Sequence, residues 1–446
     1  MTTQTKPLPG PKSEKILDEL QKYIIVDPHP YTVDLPASEG MYLATIDGDK
    51  LFDWGGYYGA KLLSHNHPDT KDPAYEQKLL SVAHHKIANP DFLTQECLDY
   101  YRLMREIAPK CMDSKDLELY VVNSGAEAVE NMLKYLINMH DQKRKAQGRN
   151  PGVRRFIYFD CAFHGRTVFA LNITQLRHDP VMTKNFHGMV AANIEVPFPA
   201  IDHSQSDEVN EEKTQQAIDF LEAQLRLFGD EIVGIIFEPI QGAGGHRIAA
   251  PRFYRALSEL AHKYDTYLGV DEVQTAGGQT GSMFCMDQFD LPHPPQAIAV
   301  AKKFGNGVLY MKESMADEGV LDSTWGGSLV DMVRVCKEME IIQKDNYIDQ
   351  IPEKEAHFVA MLNKLVDKHS DLIFNVRGMG VYQGISFHRM SDKGKFIGKM
   401  LQEQRTILIG AGERSIRFRP PIDVTIEDMD LLYEKMDACL ATMNDD

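Results

Sequence analysis

Two acids and two lysines close short apolar runs in this chain. Asp271 and Glu272 end the run at 267–270, and Lys302 and Lys303 follow the run at 297–301. Runs of this length and composition read as buried strands of a parallel sheet. Gly305, Asn306 and Gly307 then permit a tight turn. Ligands of open α/β sheets collect at the carboxyl ends of the strands, so an acid and an amine are expected together there. A lysine whose charge is suppressed forms Schiff bases with carbonyl compounds. An acid beside a ring nitrogen keeps that nitrogen protonated, so the ring accepts electrons. Lys302 suits the first role and Asp271 the second, and pyridoxal phosphate is the cofactor that needs both. The residues alone leave a plainer alternative open: a helix-capping acid and a solvated lysine.

A phosphate would need its own seat. The strand expected at 117–122 runs into Asn123, Ser124, Gly125 and Ala126, and then into a helix with Val129, Met132, Leu133, Leu136 and Ile137 on one face. A helix start presents free backbone N–H groups and the positive end of the dipole. Read locally, Ser124 is equally a plain N-cap. The strand expected at 156–160 precedes CAFHGRT, which carries Phe163, His164 and Arg166. An aromatic ring suits stacking on a flat cofactor, and an arginine suits a carboxylate. A further apolar strand, 232–237, ends at Glu238, where a structural ion pair is the alternative to a place in the site.

FEPIQGAGG (237–245), DEVQTAGGQTG (271–281), AKKFGNG (301–307) and STWGG (323–327) occur in this order. The ordered set resembles the class III aminotransferases, enzymes of fold type I that use pyridoxal 5'-phosphate, from about residue 40 to 421. The resemblance implies an α/β fold with a large domain, a mixed, mostly parallel seven-stranded sheet flanked by helices. A smaller α+β domain comes from the N- and C-terminal segments. The expected division is 1–61, 62–329 and 330–446.

The resemblance also implies roles. Lys302 is the Schiff-base lysine and proton carrier, rather than Lys303, because the family's lysine directly follows the residue matched by Ala301. Asp271 supports the ring nitrogen, Gln274 the ring hydroxyl, and Ser124, Gly125 and Ala126 the phosphate. Phe163 and Val273 sandwich the ring, with His164 and Glu238 nearby. Thr324 reaches the phosphate of a neighbouring subunit's cofactor, which implies a homodimer or a dimer of dimers. Arg166 and Arg417 bind substrate carboxylates, and Tyr57 and Tyr58 line the substrate pocket, ordinary core or interface aromatics being the alternative for the two tyrosines.

AFHGRT, STWGGSLVDMVR and IRFRPP resemble the L-lysine 6-aminotransferases in particular, with an amino acid such as lysine as donor and 2-oxoglutarate as acceptor. Ornithine, GABA, β-amino acid or amine donors, and a racemase or decarboxylase of the same fold, stay open. One departure keeps them open. The family usually carries a glutamate where this chain has Ala243, and that glutamate masks the arginine matched by Arg417.

The remaining features bound the reading. With 446 residues, 43% hydrophobic and 25% charged, the chain has ample material for a large core. A net charge of −17 argues against nucleic acid or an anionic membrane as partner. Six scattered cysteines without a CxxC pair read as reduced thiols, not a disulfide frame or a metal site. The first fifteen residues lack an apolar stretch and no run reaches membrane-spanning length, so the expected location is the cytoplasm. No G-x-G-x-x-G follows a strand, which weakens a dinucleotide-binding alternative. Residues 1–12 are expected as a loose arm, 13–23 and 331–347 as helices, and 41–54 as a hairpin turning at Asp47-Gly48. Residues 171–230 give no clear pattern, with 207–213 read as solvated surface.

Overall fold

The computed structural model describes residues 6–25, 28–85, 88–150, 152–182, 192–315 and 318–443. A seven-stranded sheet organises the chain. Its order is Glu118–Val122, Gly307–Met311, Ala297–Val300, Tyr267–Asp271, Ile232–Phe237, Arg155–Phe159 and Ile194–Val196. Gly307–Met311 runs antiparallel to both neighbours, and the other pairings are parallel. Helices cover both faces, so the central strands are buried throughout, as in Ile232–Phe237.

Side-chain alternation divides the packing. In Ala297–Val300, Ala297 and Ala299 join the core under the helix Gly125–Ala146, while Ile298 and Val300 join the larger core opposite. That helix buries Val129, Met132, Leu133 and Leu136 as its apolar spacing requires. The register sets Asp271 opposite Ala299 and Val270 opposite Phe237. Asp271, Glu238 and Lys302 therefore reach the same edge of the sheet.

The remaining chain builds two smaller sheets. Tyr42–Thr45 and Lys50–Asp53 form the expected hairpin, closed by bonds between Thr45 and the Asp47-Gly48 turn region. They carry Val33–Glu39 on one side and, in parallel, Thr406–Ile407 on the other. The chain's two ends thus share a sheet. A second four-stranded sheet orders Ile373–Met379, Tyr382–Phe387, Ser415–Arg417 and Ile409–Ala411, all antiparallel. The long helix Leu329–Lys344 leads into this part.

Two expectations are corrected. The first helix is Pro11–Leu20, because proline is favoured at a helix start, and Ile16, Leu20 and Tyr23 are exposed. The supposed loose arm is tied down over its described part, with Leu8 buried and its N–H donated to Gln402 Oε1 at 2.9 Å; residues 1–5 lie outside the described residues. Residues 207–213 are solvated as expected, and they open the 22-residue helix Asp207–Phe228, capped by Ser206, whose buried face of Thr214, Ala217, Leu221 and Leu225 begins after the charged run.

Candidate active site

A cavity of about 720 Å³ opens at the carboxyl edge of the sheet. Lys302, Asp271, Glu238, Ser124, Gly125, Ala126, Phe163, His164, Arg166, Val273, Gln274, Tyr58 and Arg417 line it. Lys302 follows the strand Ala297–Val300 in a left-handed backbone conformation, φ +54°, a geometry that a non-glycine residue holds only under constraint. Burial, and next the charge of Arg417, push its amine down to about 8. That is the direction a nucleophilic amine requires. Lys303 points elsewhere. Its Nζ is bonded to the Gln274 carbonyl oxygen and the Tyr382 hydroxyl, so the structure separates two lysines that are neighbours in sequence.

Asp271 is held from two sides. Its Oδ1 accepts the Val273 N–H at 3.0 Å, and His164 Nδ1 lies 2.8 Å from its Oδ2. Burial alone would lower the His164 pKa, but the bond to Asp271 and its charge outweigh that and leave it raised. Glu238 accepts the Phe163 N–H at 2.9 Å, and burial raises its carboxyl to about 7. Among the described residues Glu238 has no ion pair, so it stands in the cavity instead of in a structural salt bridge.

Ser124 caps the helix Gly125–Ala146 by accepting from Glu127 N. The first N–H groups of a helix have no partner within it, and here the first helical residues, Gly125 and Ala126, line the cavity. A Cβ on Gly125 would come within 2.6 Å of Val273 Cγ1, so only glycine lets the helix start approach Val273. Phe163 and Val273 both line the space beside Lys302. A flat, phosphate-bearing cofactor with a ring nitrogen fits this set: a helix N-terminus, an aromatic and an apolar wall, a carboxylate, and an amine of lowered pKa.

Two arginines mark the cavity's extremes. Arg166 is exposed at its mouth. Arg417 is buried, with Nη1 3.2 Å from Gln274 Oε1 and Nε unpartnered among the described residues. Arg419 is not a cavity residue. It is fully buried, bonded to Gln274, His246 and the Phe418 carbonyl oxygen, and serves the packing.

Two expected residues stand apart. Tyr57 packs edge-on against His65, with ring centres 5.9 Å apart, and only Tyr58 of the pair reaches the cavity. Thr324 is exposed outside the cavity, its carbonyl oxygen taking a bond from Asn89 Nδ2 at 2.8 Å. Sequence reasoning overlooked Asn306 and His178 on the lining, and the His164–Asp271 pair as a pair. The FHG spacing that pointed to a stacking ring carried no information on what His164 would bond.

The family model described as Aminotransferase class-III matches residues 24–440. The chain belongs to the class III aminotransferases. It is a transaminase, and its family cofactor is pyridoxal 5'-phosphate. This aminotransferase is 28% identical to the L-lysine-epsilon aminotransferase of Amycolatopsis lactamdurans, over 97% of each chain. It is 26% identical to a probable mitochondrial 4-aminobutyrate aminotransferase of Caenorhabditis elegans, over 97% of this chain and 92% of the other. Among solved structures, lysine aminotransferase from M. tuberculosis superposes with a TM-score of 0.89 at 25% identity, over 96% of this chain and 99% of that one. No helix among the described residues of the aminotransferase is long and apolar enough to cross a membrane.

Proposed function

We propose that this aminotransferase takes the terminal amine of an α-amino acid of the lysine type and passes it to 2-oxoglutarate. The observation that carries the reading is that Lys302 shares one cavity with two arginines, Arg166 exposed and Arg417 buried, each suited by chemistry to a carboxylate. A donor with its amine far from its carboxylate spans from Lys302 to Arg166. A dicarboxylic acceptor brings its α-carboxylate to Arg417. The names of several similar proteins agree with such a donor.

When bound, the cofactor supplies the electron sink for the carbon that loses its proton. Lys302 would hold it through Nζ, Asp271 would face its ring nitrogen, the Gly125 and Ala126 N–H groups its phosphate, Gln274 its ring hydroxyl, and Phe163 and Val273 its two faces. Lys302 Nζ, once free, takes the proton from the amine-bearing carbon of the donor and later returns one. Asp271 is held in place by its bonds to His164 and the Val273 N–H.

The working unit is proposed to be a homodimer. Thr324 lies outside its own cavity, beside an exposed apolar patch of Phe92, Leu93 and Trp325 at 78%, 70% and 39% exposure. Bonds from Asn89 to the Thr324 carbonyl oxygen and from Ala88 N to the Gly327 carbonyl oxygen join the two segments. An apolar surface of this kind fits subunit contact. The division into a large domain, 62–329, and a small one from 1–61 and 330–446 rests on the sheet shared by the two ends. All six cysteines are free, in keeping with the cytoplasm.

A donor screen tests the reading. L-lysine, L-ornithine, 4-aminobutyrate and L-glutamate are each offered with 2-oxoglutarate or pyruvate, and the product carbonyl is located by mass. Loss of the terminal amine of L-lysine is expected, and removal of only the α-amine would overturn it.

A further inference from the structure

Lys303 is 1% exposed, and no wall of the cavity includes it. Its Nζ donates to the carbonyl oxygen of Gln274 at 2.6 Å and to the Tyr382 hydroxyl at 2.9 Å, and lies 4.5 Å from the centre of the Tyr382 ring. The Arg419 guanidinium stands 4.3 Å from the same ring centre. Arg419 also donates to Gln274 Oε1 from Nε at 3.2 Å and Nη2 at 3.0 Å, and Arg417 adds Nη1 at 3.2 Å. Three guanidinium N–H groups converge on one end of the amide, and only the oxygen can occupy that end. The amide nitrogen is therefore at the other end, where it donates to the Tyr58 carbonyl oxygen at 3.3 Å and keeps a second N–H.

Tyr58 belongs to an unusual turn. Gly56, Tyr57, Tyr58 and Gly59 all have positive φ, at +50°, +50°, +61° and +80°. For the two tyrosines the left-handed region is a strained conformation that the surroundings must hold. A Cβ on Gly59 would lie 3.2 Å from the Tyr382 hydroxyl, 3.3 Å from Arg419 Cδ and 3.5 Å from Gln274 Cγ. The turn thus rests on the three side chains that Lys303 and Arg419 draw together, and Tyr58 extends from it into the cavity.

We propose that Lys303 is a positioning residue for the transamination: by clamping the Gln274 backbone and the Tyr382 hydroxyl it fixes the base of the Gln274 side chain, whose amide Arg417 and Arg419 orient, and holds the left-handed turn that carries Tyr58. It acts through those residues and touches neither substrate nor cofactor. The proposal rests on the reading of Lys302 as the reacting lysine.

The test uses the holoenzyme with Lys303→Met, Tyr382→Phe and the double variant. L-glutamate and L-lysine serve as donors, and the pH midpoint of the cofactor's visible absorption is recorded beside kcat and KM. Lys303→Met is expected to retain cofactor, lose about tenfold or more in kcat/KM and shift the midpoint, because Gln274 no longer meets the ring from a fixed angle. Tyr382→Phe should change both in the same direction by less. The double variant should be no worse than Lys303→Met alone, as for residues in one network. A lowered Tm with unchanged midpoint and kcat/KM, or losses that simply add, would overturn the proposal. Should Lys303→Met fail to fold, Tyr382→Phe decides: an unchanged midpoint and rate refute the clamp. Borohydride reduction of the wild-type holoenzyme checks the underlying reading separately. Cofactor on Lys302 keeps it, and cofactor on Lys303 removes both.

Discussion

His164 Nδ1 and Asp271 Oδ2 are 2.8 Å apart, with side chains 0% and 5% exposed. The bond joins the segment after one strand to the end of another, and it keeps the carboxylate oriented. Asp271→Asn keeps the shape and removes the charge. Cofactor should stay bound while turnover falls by about 10²-fold or more. Near wild-type turnover in that variant would rule out the role.

The same pair carries a pH dependence of stability. The folded-state pKa of His164 is raised above its ordinary value near 6.5. Its contribution is therefore fully present below that ordinary value and fades as pH rises through the raised one. Tm measured against pH should show this alkaline decline in the wild type and a flatter profile in His164→Gln. Parallel profiles would assign the decline to other groups.

Lys302 carries a second one. Only its neutral amine attacks a carbonyl, and its pKa is lowered to about 8. Reloading of cofactor-stripped enzyme should accelerate about tenfold per pH unit below this value and level off above it. Absorbance during reloading reads the rate directly. A plateau reached only near pH 10 would contradict the lowered value.

Thr324 offers a test of the shared site. Mixed subunits of Thr324→Ala and Lys302→Ala place both defects in one site of a heterodimer and neither in the other. Activity should return on mixing. With subunit exchange confirmed by mass, a persistently dead mixture would argue that each site is built from a single chain.

Ala243 lines the same cavity as Arg417. The preceding residue comes close, since a Cβ on Gly242 would stand 3.0 Å from Arg417 Nη1. Ala243→Glu should therefore pair with Arg417 and cost about 1–3 kcal/mol when a dicarboxylate must displace it. Single-turnover rates with L-glutamate should drop relative to a terminal-amine donor. An unchanged ratio would show that Arg417 is not the carboxylate site.

Strand ends, the helix start at Ser124 and the acid–lysine pairing were legible in the sequence, because each follows from local patterns: apolar runs, a capping serine, glycines after a strand. The order of motifs along the chain was enough to identify the family. Tertiary structure decided what the patterns could not contain. Lys302 and Lys303 have the same chemistry, and only the left-handed backbone at Lys302 sends one amine into the cavity and the other under Gln274. Arg417 and Arg419 share a motif, yet burial beside different partners leaves the first on the cavity wall and locks the second into the core. Tyr57 and Tyr58 are separated by one step of a turn that no propensity favours. His164 meets Asp271 across the sheet, a contact between residues 107 positions apart. Periodicity reports which face of an element is buried, but it is silent on which distant group waits there, and that depends on strand order and register.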